Sequence, residues 1–240
     1  MSVRSSPDLH KVAGRLAWGK GMTKAEAIDA IMDAAIAVFA QWGFEGASLR
    51  AIASAAHVPL STIDNYFGSK KRLYRSLMRM VWAEVARDRR IALEAQKEKA
   101  DPHPPSLEQV IEALAQPIIA RAMSDDPAIR DRLYFLQQRY REHRALNDPD
   151  DVDAVDEQVR PLIDAFVASS PGLAFDDAVW AFSYCVGVMY SMQLMDRRYD
   201  ALLDGAPLPS EEQVLADVVA FCHAGVEAML ALRTSRRPAP

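Results

Sequence analysis

The chain has 240 residues, of which half are hydrophobic and a quarter charged, an ordinary balance for one globular domain or two small ones. Its two cysteines, Cys185 and Cys222, exclude a disulfide framework and a four-thiolate metal site. The first apolar stretch is short and interrupted by charges, so we expect no cleavable signal and a cytoplasmic, reduced protein.

The net charge of −5 hides an asymmetry along the chain. Residues 1–75 hold 10 Lys/Arg and 6 Asp/Glu, which gives +4. The remaining residues hold 18 and 27, which gives −9. A basic N-terminal third joined to an acidic remainder predicts an anion-binding module attached to a part with another role.

The first predicted elements are an arm and a helix. Residues 1–23 show no sustained hydrophobic period, and we interpret them as a flexible basic arm. From Lys24 apolar residues recur at three- and four-residue steps, which predicts a helix. Thr23 has the properties of its N-cap, with Glu26 completing a capping box, and Gly43 ends the helix.

Two short helices follow. Ser48 caps the first, the turn 57–59 breaks it, and the second runs over about 60–67. Three helices in about 45 residues, with a tight turn between the short ones, predict a helix-turn-helix whose second short helix enters the major groove. Small and apolar residues form its miniature core: Ile52, Ala53, Ala56, Val58, Ile63 and Phe67.

The remainder also has helical periodicity, and no alternating strand pattern exceeds a few residues, so the predicted fold class is all-α. A loop is predicted at 147–151, and the further helices at about 71–99, 106–123, 127–146, 152–169, 176–199 and 211–233. The predicted domains are the arm 1–23, a helix-turn-helix domain 24–70, a helical regulatory and dimerisation domain 71–234, and a tail 235–240.

One stretch resembles a known family over about 50 residues, from Ala27 to Leu77. The matching pattern is Phe44-x-Gly46-x-Ser48-x-Arg50-x-Ile52-Ala53, then Val58, Ser61-Thr62-Ile63 and Tyr66-Phe67-x-Ser69-Lys70-x-x-Leu73. It looks like the N-terminal domain of the tetracycline-repressor (TetR) family of transcriptional regulators, and its Tyr-Phe-x-Ser-Lys ending is the most specific part.

The resemblance implies DNA-binding roles for Ser48, Arg50, Ser61, Thr62, Asn65, Tyr66 and Lys70. Hydroxyl, amide and guanidinium groups read base edges, while Lys and Tyr fix the register on phosphates. Three positions depart from the pattern. His57 replaces the usual turn Gly, where positive φ is expected, Asp64 replaces an aromatic residue, and Pro59 replaces the usual Ser/Thr cap.

The last two helices are apolar on all sides, which predicts burial on two faces. The resemblance implies that 176–199 and 211–233 pair with their symmetry mates in a homodimer, as a four-helix bundle. The alternative is a membrane span at Ala178–Met195, which has 18 residues without a charge but several polar ones. We favour the dimer and no membrane association.

The resemblance also implies a pocket for a small-molecule effector in the second domain. Met and aromatic residues suit an adaptable apolar cavity, with packing in the core as the alternative role for each. The candidates are Trp82, Met123, Phe135, Tyr140, Phe166, Met189 and Met192.

The hypothesis is therefore a homodimeric, ligand-released repressor that binds a double-stranded, roughly palindromic operator in the cytoplasm at the nucleoid. A helical adaptor protein is one alternative and a helical-bundle enzyme is another. The enzyme is disfavoured because nucleophile, metal-ligand and cofactor motifs are missing, so we predict no catalytic residues, metal or cofactor. The P-loop-like run Gly14 to Lys20 lacks the Ser/Thr that would hold magnesium.

Overall fold

The structure is a computed structural model that describes residues 23–141, 149–191, 204, 206–207 and 209–236. The side chains of 139–141, 149–157 and 234–236 lie outside that description, as do the basic residues of the arm. Within the described chain there are nine α-helices and no strand, which confirms the all-α prediction. They are α1 Lys24–Gly46, α2 Leu49–Ala55, α3 Leu60–Phe67, α4 Lys70–Ala100, α5 Leu107–Ala122, α6 Pro127–Arg141, α7 Pro149–Ser169, α8 Phe175–Ser191 and α9 Glu211–Arg236.

Local capping chemistry starts the helices where the sequence predicts. The Thr23 hydroxyl accepts from the Glu26 N–H at 3.3 Å, and the Glu26 carboxylate accepts from the Thr23 N–H at 2.7 Å. Hydrogen bonds to the Glu26 carboxylate, first from the Thr23 N–H and then from the Thr23 hydroxyl, lower the pKa of Glu26. Ser106 forms the same capping box with Gln109 at the start of α5, and the Ser48 hydroxyl caps α2 by accepting from the Ala51 N–H. Gly43, at φ 67°, interrupts the regular helical backbone of α1, but the helix continues to Gly46 instead of ending at Gly43 as predicted.

The start of α7 differs from the prediction. The acidic run that the sequence places in a loop to residue 151 is already helical from Pro149. Proline is tolerated in the first turn because its missing N–H would have no helical acceptor there, and acidic residues are stabilised at a helix N-terminus. The predicted helical residues 142–146 and 192–199 lie outside the described residues.

The chain forms two compact units, and α4 and α6 each contribute residues to both. Of the described residues, the first unit takes 23–81 and 134–141. Its centre is aromatic: Tyr74 packs edge-on to Phe39 and Phe135, with ring centroids 5.0 and 5.1 Å away. All three side chains are buried, so this cluster holds α1, α4 and α6 together.

The second unit takes the described residues 82–133 and 149–236. Its central helix is α5, whose apolar residues are buried on nearly every side. Arg89, itself buried, donates from Nε to the Leu114 carbonyl at 3.1 Å and so joins α4 to α5. An ion pair between Asp177 and Arg233 brings the start of α8 to the end of α9, which makes these two helices antiparallel.

Candidate nucleic-acid interface

The helix-turn-helix of the first unit is built on a small buried core. Ile52 and Ala53 of α2, Ala56 directly after it and Ile63 of α3 are all buried, and the two short helices contact each other. The Val58 N–H donates to the Ala53 carbonyl at 2.9 Å, which closes the turn. His57 has φ 53°, so the positive φ expected at this turn is confirmed. A tight turn of this kind holds α3 rigidly on α2.

Helix α3 presents a polar face to solvent. Ser61, Asp64, Asn65 and Tyr66 are exposed, and Thr62 is half-buried beside the buried Ile63. The cap position carries Pro59, which makes no side-chain cap hydrogen bond, as its identity implies. Hydroxyl, amide and phenol groups on one short exposed helix are the groups that contact base edges and phosphates.

The two DNA contacts predicted at the start of α2, Ser48 and Arg50, differ in whether their polar atoms already hold hydrogen bonds. Arg50 is exposed near the start of the helix. Ser48 already accepts a hydrogen bond from the Ala51 N–H at 3.1 Å, so its hydroxyl oxygen is committed to capping α2. The hydroxyl proton still offers one donor to a phosphate.

Lys70 lies in a different environment from the one that the resemblance implies. Its Nζ donates to the Phe44 carbonyl at 2.7 Å and to the Ala47 carbonyl at 3.0 Å, and it lies 4.5 Å from the Phe44 ring centroid. An ammonium has three donors, so one remains beyond these two contacts. The side chain joins the start of α4 to the segment between α1 and α2.

Sequence reasoning missed one cation of this surface. Lys24, at the start of α1, lies with its Nζ 5.4 Å from the ring centroid of Tyr66. This cation–π contact brings a positive charge beside the exposed face of α3. The only signal in the sequence is the position of Lys24 directly after the Thr23 cap, which does not indicate contact with a residue 42 positions away.

The predicted pocket residues are distributed over both units. Phe135 belongs to the aromatic core of the first unit. In the second, Phe166 and Met189 are fully buried, Trp82 is buried and Met123 is exposed after α5. The Tyr140 side chain and Met192 lie outside the described residues.

Two clefts in the second unit are lined by other residues. A groove of about 200 Å³ between α8 and α9 has Cys185 and Cys222 in its wall. A larger cleft of about 380 Å³ lies between α4 and α7. No cluster of three metal-ligating side chains occurs in the part of the chain that the structure describes.

Two described helices, Lys24–Gly46 and Glu211–Arg233, are long and apolar enough to cross a membrane by length and composition, with mean hydropathies of 1.3 and 1.7. The sequence singled out 178–195 instead. The first of these two helices contributes to the aromatic core described above. The second helix lies within α9, and only 22% of its most apolar stretch is buried. Most of that apolar surface therefore lacks a covering partner within the described chain.

Family profiles identify the class of protein that this site defines. Residues 31–77 match the family described as "Bacterial regulatory proteins, tetR family". Residues 112–225 match the "Tetracyclin repressor-like, C-terminal domain". Together the two segments span about two thirds of the chain. The chain belongs to the TetR family: it is a DNA-binding transcriptional regulator, not an enzyme.

Solved structures of other regulators share the fold. KstR2 of Mycobacterium tuberculosis, a ketosteroid transcriptional regulator, is 15% identical with a TM-score of 0.58, covering 88% of this chain and 98% of that one. AibR in complex with isovaleryl coenzyme A and operator DNA is 18% identical, with a TM-score of 0.58 and coverages of 81% and 97%. LfrR from Mycobacterium smegmatis, in complex with proflavine, is 22% identical, with a TM-score of 0.53 and coverages of 84% and 97%. No curated protein matches the sequence significantly.

Proposed function

We propose that this regulator is a homodimeric repressor that binds a roughly palindromic operator and is released from it by a small molecule. The observation that carries the proposal is the exposed polar face of α3, held on a rigid helix-turn-helix core. DNA binding follows from the family; the sign of regulation, the assembly and the release are the proposed parts. A DNA-binding protein of this kind acts in the cytoplasm, at the nucleoid.

The proposed DNA contacts are Ser48, Arg50, Ser61, Thr62, Asn65 and Tyr66, with Lys24 added from the structure. Lys70 supports them, since two of its three donors hold the segment between α1 and α2. The basic arm either enters the minor groove or remains a solvated tail. The resulting surface combines base-reading groups on α3 with cations at its edges.

Dimerisation is proposed through α8 and α9, because both helices expose large apolar side chains. Trp180 and Tyr184 stack on each other on α8 and are 53% and 57% exposed. Phe221 and Leu232 on α9 are 68% and 58% exposed. Contiguous apolar surface of this kind marks an interaction site, and a second copy supplies the same four side chains. A two-fold dimer then places two α3 helices about 34–36 Å apart, one turn of DNA.

Release by an effector needs only a difference in affinity between two states of the dimer. Helices α4 and α6 each carry residues of both units, so they are the proposed route of coupling. The effector is proposed to be a small organic molecule, since related folds are known with isovaleryl coenzyme A and with proflavine. The identity of the effector of this chain depends on the residues that line its binding site.

The test is recovery of bound fragments from sheared genomic DNA of the source organism at about physiological salt, followed by footprinting. A protected, roughly palindromic site with steep salt dependence is expected. Asn65→Ala should relax the sequence preference, and Arg50→Ala should weaken binding, while Lys97→Ala, an exposed lysine in the second unit, should change neither. Retention of no fragment at low salt, by protein shown by native mass spectrometry to be free of ligand, would contradict the proposal.

A further inference from the structure

The cleft between α4 and α7 has an apolar floor. Leu93 and Leu162, both buried, lie in its wall together with Ala86 and Pro161. Its volume of about 380 Å³ is at the lower end of the range of small-molecule sites, about 300–1,000 Å³. A short acyl or alkyl chain fits such a floor.

The mouth of the cleft is cationic. Arg87 and Arg90 are in its wall, on successive turns of α4, and both are exposed. Arg87 approaches Asp88 through Nε at 3.3 Å, which leaves the four N–H groups of its two terminal nitrogens for other acceptors. Arg90 makes no hydrogen bond or ion pair within the described chain, and no acidic side chain is among the described residues that line the cleft. Two guanidinium groups, with no carboxylate among the described residues of the cleft wall, favour an anion, which they bind in a forked geometry.

One polar atom in the wall is left unsatisfied. The Gln158 Oε1 atom is buried and has no hydrogen-bond partner in the described structure. A buried acceptor without a donor destabilises the folded protein, so a ligand that brings an N–H or O–H to this atom regains that energy. Gln158 lies on α7, on the opposite side of the cleft from the arginines of α4.

We propose that this cleft is an effector site for an anionic amphiphile: a carboxylate or phosphate held by Arg87 and Arg90, a hydrogen-bond donor facing Gln158, and a short apolar chain on the floor. The inference rests on the proposed ligand-released repression, which it deepens by naming the chemical class of the ligand. It differs from the sequence-based expectation, which placed the pocket among Met and aromatic side chains.

N-hexanoylglycine is a suitable probe, since it carries a carboxylate, one amide N–H and a five-carbon alkyl tail. Its methyl ester removes the charge, and hexanoyloxyacetate replaces the N–H by an ester oxygen. Titration calorimetry of the full-length protein without DNA is expected to show binding of the probe. At least tenfold weaker binding is expected for each analogue. Equal binding of the acid and its methyl ester would overturn the assignment to an anion.

Variants locate the site. Arg90→Gln is expected to weaken probe binding at least tenfold without altering the fold, because Arg90 is exposed and holds no structural partner. Gln158→Leu should weaken the binding of N-hexanoylglycine but leave the affinity for hexanoyloxyacetate unchanged, since only N-hexanoylglycine offers a hydrogen-bond donor. Lys97→Gln is the matched control on the same helix, paired with Glu94 and absent from the cleft wall. Unchanged affinity in Arg90→Gln would overturn the proposed site.

DNA release is measured in a separate experiment, by the fluorescence anisotropy of a labelled operator fragment. Loss of operator binding at saturating probe, with Arg90→Gln needing a correspondingly higher concentration, supports the effector role. If the probe binds but operator affinity does not change, the cleft is still an anion-binding site, but its role as an effector site is overturned. Absence of operator binding by ligand-free protein would contradict the repressor itself, while the calorimetric result would still stand.

Discussion

Lys70 shows how a residue type that suits DNA can also serve the fold. Its ammonium donates to two backbone carbonyls, those of Phe44 and Ala47. Lys70→Met keeps the length of the side chain and removes both donors. We expect the free energy of unfolding to fall by about 2–3 kcal/mol, since hydrogen bonds to charged groups contribute about 1.5–3 kcal/mol each and this site is half-exposed. Urea unfolding followed by circular dichroism measures the change.

Its exposed neighbour provides the control for this prediction. Lys71→Met should change stability by less than about 0.5 kcal/mol, as is usual for exposed positions without partners. The salt dependence of operator binding then distinguishes the two roles of Lys70. A phosphate contact would reduce the slope of log K against log salt by about 1 in Lys70→Met. A residue that only positions the helices leaves the slope unchanged, and equal stability of both variants would contradict the structural role.

The two cysteines of the groove between α8 and α9 differ in acidity. A hydrogen bond from the Cys185 thiol lowers the pKa of Cys222, and the same hydrogen bond, with burial, raises the pKa of Cys185. As pH rises, Cys222 therefore forms the reactive thiolate first. We expect iodoacetamide to modify Cys222 before Cys185, with its half-maximal rate at a pH below the ordinary pKa of a thiol. Peptide mass mapping over a pH series follows both sites.

Removing the donor is the control for this order of reaction. In Cys185→Ala the Cys222 thiolate loses its hydrogen bond while burial remains, so the half-maximal rate should move to higher pH. Both cysteines line the same groove and are buried to a similar degree, at 2% and 4% exposure. Modification of Cys185 first, or no shift in Cys185→Ala, would show that the hydrogen bond does not control the order.

At the scale of elements, Arg89 joins two helices of the second unit from a buried position. It is 2% exposed and donates to the Leu114 carbonyl of α5. Arg89→Met keeps an apolar side chain of similar length and deletes the buried charge with its hydrogen bonds. We expect the free energy of unfolding to fall by about 2–4 kcal/mol, the range for lost charged hydrogen bonds in a buried site. Arg90→Met, one residue further along and exposed, should be nearly neutral by the same chemical unfolding measurement. Equal losses in the two variants would contradict this role of Arg89.

The elements that the sequence predicts well are those set by local chemistry. Thr23, Ser48 and Ser106 cap helices within three residues of themselves, and Gly43 breaks a helix by its own φ. The start of α7 was missed because an acidic run with a proline is typical both of a loop and of a first helical turn.

In the candidate site, too, the features set by nearby residues were predicted, and those set by distant contacts were not. The order and spacing of motif residues predict the exposed face of α3 together with its buried core. The partners of Lys70 are 23 and 26 residues away, and the cleft joins α4 to a helix more than 50 residues later. The type of a side chain alone does not show which distant residues it will contact. The Met and aromatic residues chosen as pocket candidates are equally typical of packing, and several of them are buried in the core.

At the scale of the whole molecule, α9 is mostly apolar but is buried along only one stripe. Val214, Val218, Cys222 and Val226, spaced four residues apart, face the protomer. The exposed side carries Phe221, Leu232 and several small residues, together with the charged Asp217 and Glu227. A helix that was only a core element would bury both faces, so the uncovered face is the one through which the dimer is proposed to form.

Phe221→Glu tests whether that face makes the dimer. A symmetric interface contains the substitution twice, and interface hot spots contribute about 2–4 kcal/mol each, so we expect the dimer dissociation constant to rise at least about 100-fold. Sedimentation equilibrium measures it, with Ile91→Glu on α4 as control, because Ile91 is similarly exposed, at 61% against 68%, and lies outside α8 and α9. Operator affinity should fall together with dimerisation, since a monomer contacts one half-site. If Phe221→Glu stays dimeric at micromolar concentration and protects the same footprint, the dimer uses another surface, and the apolar face of α9 must be covered by something else.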